Sequence, residues 1–425
     1  MNIFINTLGS RGDVQPYVAL GVALKARGHT VTVCTSARFE SFITEHGLLY
    51  GYMNDEILAL TDSPEVRDMM GNTKDVFGAI RMVAKMAKQV GPLQRKMVNE
   101  SGEAALAANP DLVIFHPKAY GGPHYAEKLG VPSIMAPTLP QFIPTAEIVP
   151  IGFPKLPLGG WYNRMGYSLT TRLTVMGVAQ YTNAWRKDHG LQPLSRFANF
   201  LRYQAGQPIE VMHPISKYVM PVPSDWPDYV HSTGYWFLDT RDDWTPPADL
   251  VAFLEAGPPP VYVGFGSMVG TDPETITQTI VAGLQKAKVR AVLATGWGGL
   301  QADSLPDTIF KLEQAPHEWL FPKMAAVVHH GGAGTTAAGV RAGKPTFVSP
   351  YFGDQPFWSQ RIYELGIGPE PIHQKKLTAD SLAAAVTEVT NNVSMRQKAE
   401  TLGAQIRQED GIGNAIAIIE KVLKR

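Results

Sequence analysis

The apolar positions of this chain come in short blocks with little alternation, separated by stretches in which they recur at helical spacing. Residues 2–8, 29–36, 111–116 and 132–138 are of the first kind and read as strands buried on both faces, the pattern of a parallel sheet. Residues 15–26 and 123–129 are of the second kind, and Gly28 suits the end of the first helix. A helix around 184–188 and strands at 209–214 and 229–235 follow, and then a polar, proline-containing connection at 240–250 that suits a domain boundary. The rhythm restarts with strand 260–267, helix 274–287, strand 291–295, a glycine loop at 296–299 and strand 308–312. Strand 325–328, helix 335–342 and strand 346–349 continue it, and two or three polar helices finish the chain. The expectation is an α/β chain of two domains, 1–238 and 239–425, each a parallel sheet with crossover helices.

Two stretches break the rhythm. Residues 53–109 read as loops and amphipathic helices and hold Met53, Met69, Met70, Met82, Met86 and Met97. Residues 139–181 are rich in Pro and Gly, read as a long irregular insertion, and carry Phe142, Phe153, Trp161, Tyr162 and Tyr167. Methionine adapts its shape to varied apolar ligands, and long irregular insertions usually serve a function. Both stretches therefore read as walls of a cleft for a greasy ligand. For any single methionine an ordinary helix core is an equal reading.

Charge narrows the class. The 38 basic and 38 acidic residues balance, so no field draws nucleic acid. The single Cys34 excludes a disulfide framework within the chain and suits a reducing compartment. The opening MNIFINTLG has no charged leader region, and apolar runs are broken before they reach spanning length. A soluble, cytoplasmic protein is expected, with peripheral membrane contact left open. Asp239, Asp242 and Asp243 read as solvated linker acids, and no metal site is expected.

Candidate chemistry lies at strand ends. Gly331, Gly332 and Gly334 turn the strand at 325–328 into a helix, and such a turn offers unpaired N–H groups and a positive dipole end to a phosphate. The hydroxyls of Thr335 and Thr336 stand beside it. The same spacing serves an ordinary turn whose glycines only allow close packing, and these residues alone leave both open. In the first half, residues 9–13 lack the glycine spacing of a dinucleotide fingerprint. Asp13 follows a strand's C-terminal end, where open α/β sheets bind ligands. It reads as the N-cap of a helix starting near Gln15 or as a site carboxylate. His116 ends a strand on the same edge, where it touches the ligand, orients Asp13 or is satisfied within its loop.

The segments APHEWLFPKMAAVVHHGGAGTTAAG, residues 315–339, and PYFGDQPFW, residues 350–358, extend the pattern. Together they resemble the donor-binding signature of family 1 glycosyltransferases, nucleotide-sugar enzymes of the GT-B fold, and within that family the sterol glucosyltransferase branch. The resemblance implies two facing Rossmann-like domains with the active site in the cleft between them. It implies that His330 meets the donor phosphates with Gly332, Ala333, Gly334 and Thr335 beyond it. Asp354 and Gln355 would hydrogen-bond the sugar, Ser267 would lie near the phosphates, and His317 would contact the nucleotide. The family's N-terminal motif puts the general base at Asp13. In other GT-B proteins the last helix, here near 414–423, crosses back onto the first domain. Plant members carry a glutamate for the ribose where this chain has Gly339, and a tryptophan for the base where it has Gln314. The sterol branch lacks both, which leaves uridine and thymidine open as the base.

The activity so implied is inverting and metal-independent. A hexose, first of all glucose from UDP-glucose, passes to a hydroxyl of an apolar acceptor such as a sterol, with no resident cofactor. The enzymatic alternative is a TDP-sugar transferase acting on a polyketide or peptide natural product. The alternative of another class is a non-catalytic nucleotide-sugar-binding protein, against which the presence of both Asp13 and the Asp354–Gln355 pair argues.

Overall fold

The computed structural model describes residues 1–61, 76–239, 244–265, 273–295 and 305–424. They form two compact units. The first runs to Leu238 and takes in Asp410–Arg425, and the second is Asp239–Glu409.

In the first unit β1 (Asn2–Asn6) leads through α1 (Arg11–Ala26) to β2 (Thr30–Ser36) and β3 (Leu49–Met53). Then come α2 (Val76–Ala108), β4 (Leu112–Phe115), α3 (Gly122–Leu129), β5 (Ser133–Met135), α4 (Gly159–Asp188), β6 (Glu210–His213) and β7 (Val230–Ser232). These seven strands form one sheet in the order β3-β2-β1-β4-β5-β6-β7, and its pairs are parallel. Phe4, Ile5, Val113 and Ile114 are buried because helices cover both faces of these strands. The chain runs outward from β1 to β3 and then returns to the other side of β1 at β4. That reversal is the sheet's switch point, with Asn6 beside Phe115 in register.

The second unit repeats the plan with β8 (Val261–Gly264), α5 (Pro273–Ala287), β9 (Ala291–Ala294), β10 (Ile309–Leu312), β11 (Ala326–His329), α6 (Ala333–Arg341), β12 (Thr346–Val348), α7 (Gln355–Glu364), α8 (Ala379–Asn391) and α9 (Val393–Arg407). Its parallel order is β10-β9-β8-β11-β12, so the switch point lies between β8 and β11, with Gly264 beside His329. Two Rossmann-like α/β units are thus present.

The final helix α10 (Gly411–Leu423) packs on α1 of the first unit. Its Ala415, Ile416, Ile419 and Val422 share a core with Val18, Leu20 and Leu24. Asn414 donates to the Thr233 carbonyl at 2.9 Å, and Arg27 pairs with Glu420 at 2.9 Å.

Two sequence expectations need correction. α1 starts at Arg11, four residues before Gln15, with Ser10 as its N-cap, so Asp13 is the third helical residue and not the cap. Its carboxylate reaches back to the cap N–H, an arrangement that lets the helix begin earlier than its apolar spacing suggests. The insertion at 139–181 is irregular only in its first half, because α4 occupies Gly159–Asp188. Its glycines and threonines are poor helix formers, and packing against α2 outweighs their propensity.

Candidate active site

At the switch point of the first sheet, three side chains converge from a helix start and a loop. Asp13 comes from the first turn of α1, and His116 and Lys118 follow β4. The Asp13 carboxylate is largely buried, its Oδ2 accepting from the Ser10 N–H at 2.9 Å and the Ser10 hydroxyl at 3.3 Å. The Lys118 ammonium stands 3.0 Å from each carboxylate oxygen. Burial alone pushes the Asp13 carboxyl up. The Lys118 charge, His116 and the Lys118 and Ser10 hydrogen bonds outweigh that and hold it below the usual carboxylate value.

His116 is buried, with Nε2 3.7 Å from Asp13 Oδ1 and 3.3 Å from Thr138 Oγ1. Its Nδ1 accepts the Lys118 N–H at 3.1 Å, so the neutral ring carries its proton on Nε2. Burial pushes its pKa down to about 3, with Asp13 pulling the other way and Lys118 adding to the fall. Tyr17 closes the back of the group, edge-on to the His116 ring at 6.1 Å, with its hydroxyl on the Ala136 carbonyl. The structure therefore joins Asp13 to His116. Sequence reasoning missed Lys118, because a lone lysine beside a proline carries no signature.

In the second unit, β11 ends at His329 and the chain turns through Gly331 and Gly332 into α6. Gly332 is the N-cap, and the first N–H bonded within this turn is that of Thr336, to the Gly332 carbonyl at 2.9 Å. The N–H groups of Ala333, Gly334 and Thr335 therefore have no partner inside the helix. The Thr336 hydroxyl also bonds back to the Gly332 carbonyl at 2.9 Å and is buried, so it is not a ligand donor as the sequence suggested. A Cβ on Gly332 would stand 2.6 Å from His330 Nε2, which places the imidazole directly over the open turn. Burial lowers the His330 pKa to about 4, against a backbone hydrogen bond to Gly264. His329 Nδ1 accepts the Gly331 N–H at 2.9 Å and fixes the turn from beneath.

His317 begins a short helix after β10, stacked on Phe321 at 4.3 Å, with Nε2 3.5 Å from the Tyr262 hydroxyl. Its contact Tyr262 lies on β8, the strand that pairs with β11, so the loops after β10 and β11 neighbour the same strand. Asp354 is the N-cap of α7, and its Oδ2 accepts from Trp358 Nε1 at 3.0 Å. Gln355 is buried and its Oε1 accepts the Tyr351 N–H at 2.7 Å. Its amide oxygen is thus committed to the loop, and the NH₂ group is what it can offer a ligand. A Cβ on Gly331 would lie 3.1 Å from the Gln355 carbonyl, so α6 and α7 begin side by side. Gly339 is buried, and a Cβ there would meet Thr346 at 3.3 Å, which leaves little room for a longer residue. Ser267, Asp242, Asp243, the 296–299 loop, Met69 and Met70 lie outside the described residues, as do the side chains of Met82 and Met86. Asp239 stands 3.5 Å from Arg341.

The walls expected for a greasy ligand divide. Met53, Met97, Tyr162 and Tyr167 are buried core. Trp161 is 68% exposed, and Met165, Leu169, Leu173 and Met176 continue its row along the outer face of α4. Phe142 sits at φ +74°, a conformation bulky residues seldom adopt.

The model of the glycosyltransferase family 28 N-terminal domain matches residues 3–148, and that of the erythromycin biosynthesis protein CIII-like C-terminal domain matches residues 288–411. A sterol 3-beta-glucosyltransferase of Aspergillus clavatus is 37% identical across 98% of this chain, and one of Arabidopsis thaliana is 35% identical across all of it. The chain belongs to the family 1 GT-B glycosyltransferases, in their sterol glucosyltransferase branch. It spans 29% of the length of the Aspergillus relative and 66% of the Arabidopsis one. Among solved structures, the glycotransferase of kitacinnamycin superposes with a TM-score of 0.71 at 21% identity, covering 99% of this chain and 98% of its own. The calicheamicin glycosyltransferase CalG4 does so at 0.70 and 17%, covering 100% and 99%. These likenesses establish the GT-B glycosyltransferase fold. Within it, Asp13 and His116 of this chain stand at the switch point of the first sheet, and His329 and His330 at that of the second.

Proposed function

We propose that this glycosyltransferase moves glucose from UDP-glucose to the hydroxyl of an apolar acceptor such as a sterol, with inversion and without a metal ion. The observation that carries the reading is Asp13, a largely buried carboxylate at the switch point of one sheet, in a chain whose other sheet ends in an open helix N-terminus. Asp13 accepts the acceptor's proton as its oxygen attacks the anomeric carbon from the face opposite the nucleotide. The bond to the departing diphosphate breaks, and its electron pair leaves with the phosphate. A carboxylate is a far weaker base than an alkoxide, so the proton moves late, when the sugar has most oxocarbenium character.

His330 and the N–H groups of Gly332, Ala333, Gly334 and Thr335 receive the developing phosphate charge, with Ser267 and His317 completing the nucleotide contacts. Each charge-assisted hydrogen bond contributes about 1.5–3 kcal/mol, the task a divalent cation performs elsewhere. Asp354 and the amide of Gln355 hold the sugar. The exposed apolar row on α4 favours a lipid-like acceptor. The curated relatives' name, sterol 3-beta-glucosyltransferase, favours the same class.

The test is a thermal-shift screen with UDP, TDP and their glucose forms in excess EDTA, followed by product mass analysis on a sterol and phenol panel. The expected result is stabilisation by UDP that survives EDTA, together with a sterol glucoside. Stabilisation by TDP alone would assign the thymidine nucleotide. Binding without any product would make the chain a nucleotide-sugar binder, and loss of both shift and turnover in EDTA would end the metal-free mechanism.

A further inference from the structure

We propose that Lys118 is a positioning residue for this reaction, one that keeps the Asp13 carboxylate ionised and fixes which of its oxygens takes the acceptor's proton. The inference rests on Asp13 being the base.

The geometry is specific. Lys118 does not share a helix with Asp13 but reaches it from the loop after β4, with both Nζ–O distances at 3.0 Å. That loop is itself shaped by His116, whose Nδ1 holds the Lys118 N–H and whose carbonyl accepts the Ala119 N–H at 2.8 Å. The two carboxylate oxygens are not equivalent. Oδ2 receives the Ser10 N–H, the Ser10 hydroxyl and Lys118, which fills its coordination. Oδ1 receives Lys118 at 3.0 Å, with His116 Nε2 outside hydrogen-bond distance at 3.7 Å. Oδ1 therefore retains the lone pair that can take a proton.

The charged and titratable groups facing the carboxylate come from two elements. His116 and Lys118 follow β4, and Tyr17 lies one turn along α1. Tyr17 stays protonated because burial and the Asp13 charge both raise its pKa. His116 stays neutral, so the one full positive charge among these groups is Lys118. A carboxylate this buried would otherwise hold protons more tightly than a free one. Lys118 offsets that penalty in the resting state. After transfer, the neutral acid beside an ammonium gives its proton readily to water, which restores the base for the next turnover. The acceptor O–H bond breaks, the proton reaches Oδ1 and then solvent, and Lys118 keeps its own protons throughout.

The test is the pH dependence of kcat/KM for sterol glucosylation in Lys118→Met, Lys118→Gln and Lys118→Arg, with Asp13→Asn measured beside them. Without the ammonium the acid limb of the profile should move up by roughly 1–2 pH units, while Lys118→Arg should leave it near the wild-type position. A UDP-induced thermal shift retained in each variant shows that it is folded, and two neutral replacements guard against one failing to fold. An unmoved acid limb in both neutral variants would overturn the proposal and leave Lys118 as a loop anchor. Near wild-type transfer by Asp13→Asn would instead remove the base itself, a separate and distinguishable failure.

Discussion

Asp13 and an asparagine in its place differ by a single proton-accepting oxygen. Asparagine keeps the reach back to the Ser10 N–H, so the start of α1 survives, but it forfeits the charged pair with Lys118. Asp13→Asn should therefore lower transfer to a neutral alcohol by roughly 10²–10⁴-fold. UDP binding should be untouched, since the proposed phosphate contacts belong to the other unit. Stability should fall by only about 1 kcal/mol, because half of the Lys118 side chain already faces water. A phenol already ionised at assay pH needs no base and should lose far less. Kinetics on the two acceptors side by side check this, and equal losses on both would reduce Asp13 to a support for the helix.

At the scale of elements, each unit has a glycine that clears space for a side chain of the proposed site. Gly9 sits at φ +143°, and a Cβ there would stand 2.1 Å from Asp13 Oδ2. Gly332 has an ordinary φ of −62°, and its Cβ would strike the His330 ring. Gly9→Ala should displace the carboxylate, cost roughly 1–2 kcal/mol of stability through backbone strain, and cut turnover with UDP affinity intact. Gly332→Ala should weaken UDP binding at little cost in melting temperature. Calorimetric titration with UDP and thermal melts separate the two. If both variants behave alike, the division of labour between the units is wrong.

These elements differ in how far the sequence betrays them. The strands were legible because blocks such as residues 2–8 and 325–328 are apolar on both faces, which few other structures tolerate. The turn into α6 was legible from its glycines, whereas Asp354 and Gln355 entered as candidates only through the family signature. The long helix α4 was not, because Gly159, Gly160, Gly166 and Gly177 argue locally against it and distant contacts hold it, among them its packing on α2 and the Arg186 pair with Glu127 on α3. The Thr336 hydroxyl was misread for a related reason, since a helix's own carbonyl competes for it and no pattern records the winner. Lys118 reaches Asp13 across 105 residues, and a contact of that kind exists only once the sheet has brought its loops together.

Across the whole molecule, buried histidines set the response to acid. His116, His124 and His213 are held down to about 3 and His330 to about 4, in each case by burial first. An unfolded chain protonates these rings near pH ~6.5, so between there and about pH 4 it binds more protons than the folded one, and stability must fall as pH falls. Asp13 acts in the same direction lower down, because its depressed folded value gives stability that is present above pH ~3.9 and lost below it. Denaturant melts at pH 7, 6 and 5 should show steadily lower midpoints, and a flat profile would mean that these rings are charged in the fold. The closing of the first unit by α10 has a consequence of another kind, in the order of synthesis. A ribosome delivers β1 to β7 first, then the entire second unit, and only afterwards the helix that seals Val18, Leu20 and Leu24. At about 5–20 residues per second that delay is on the order of ten to thirty seconds. Throughout it the α1 face is uncovered on a nascent chain, which makes it the natural target for a chaperone that holds unfinished domains.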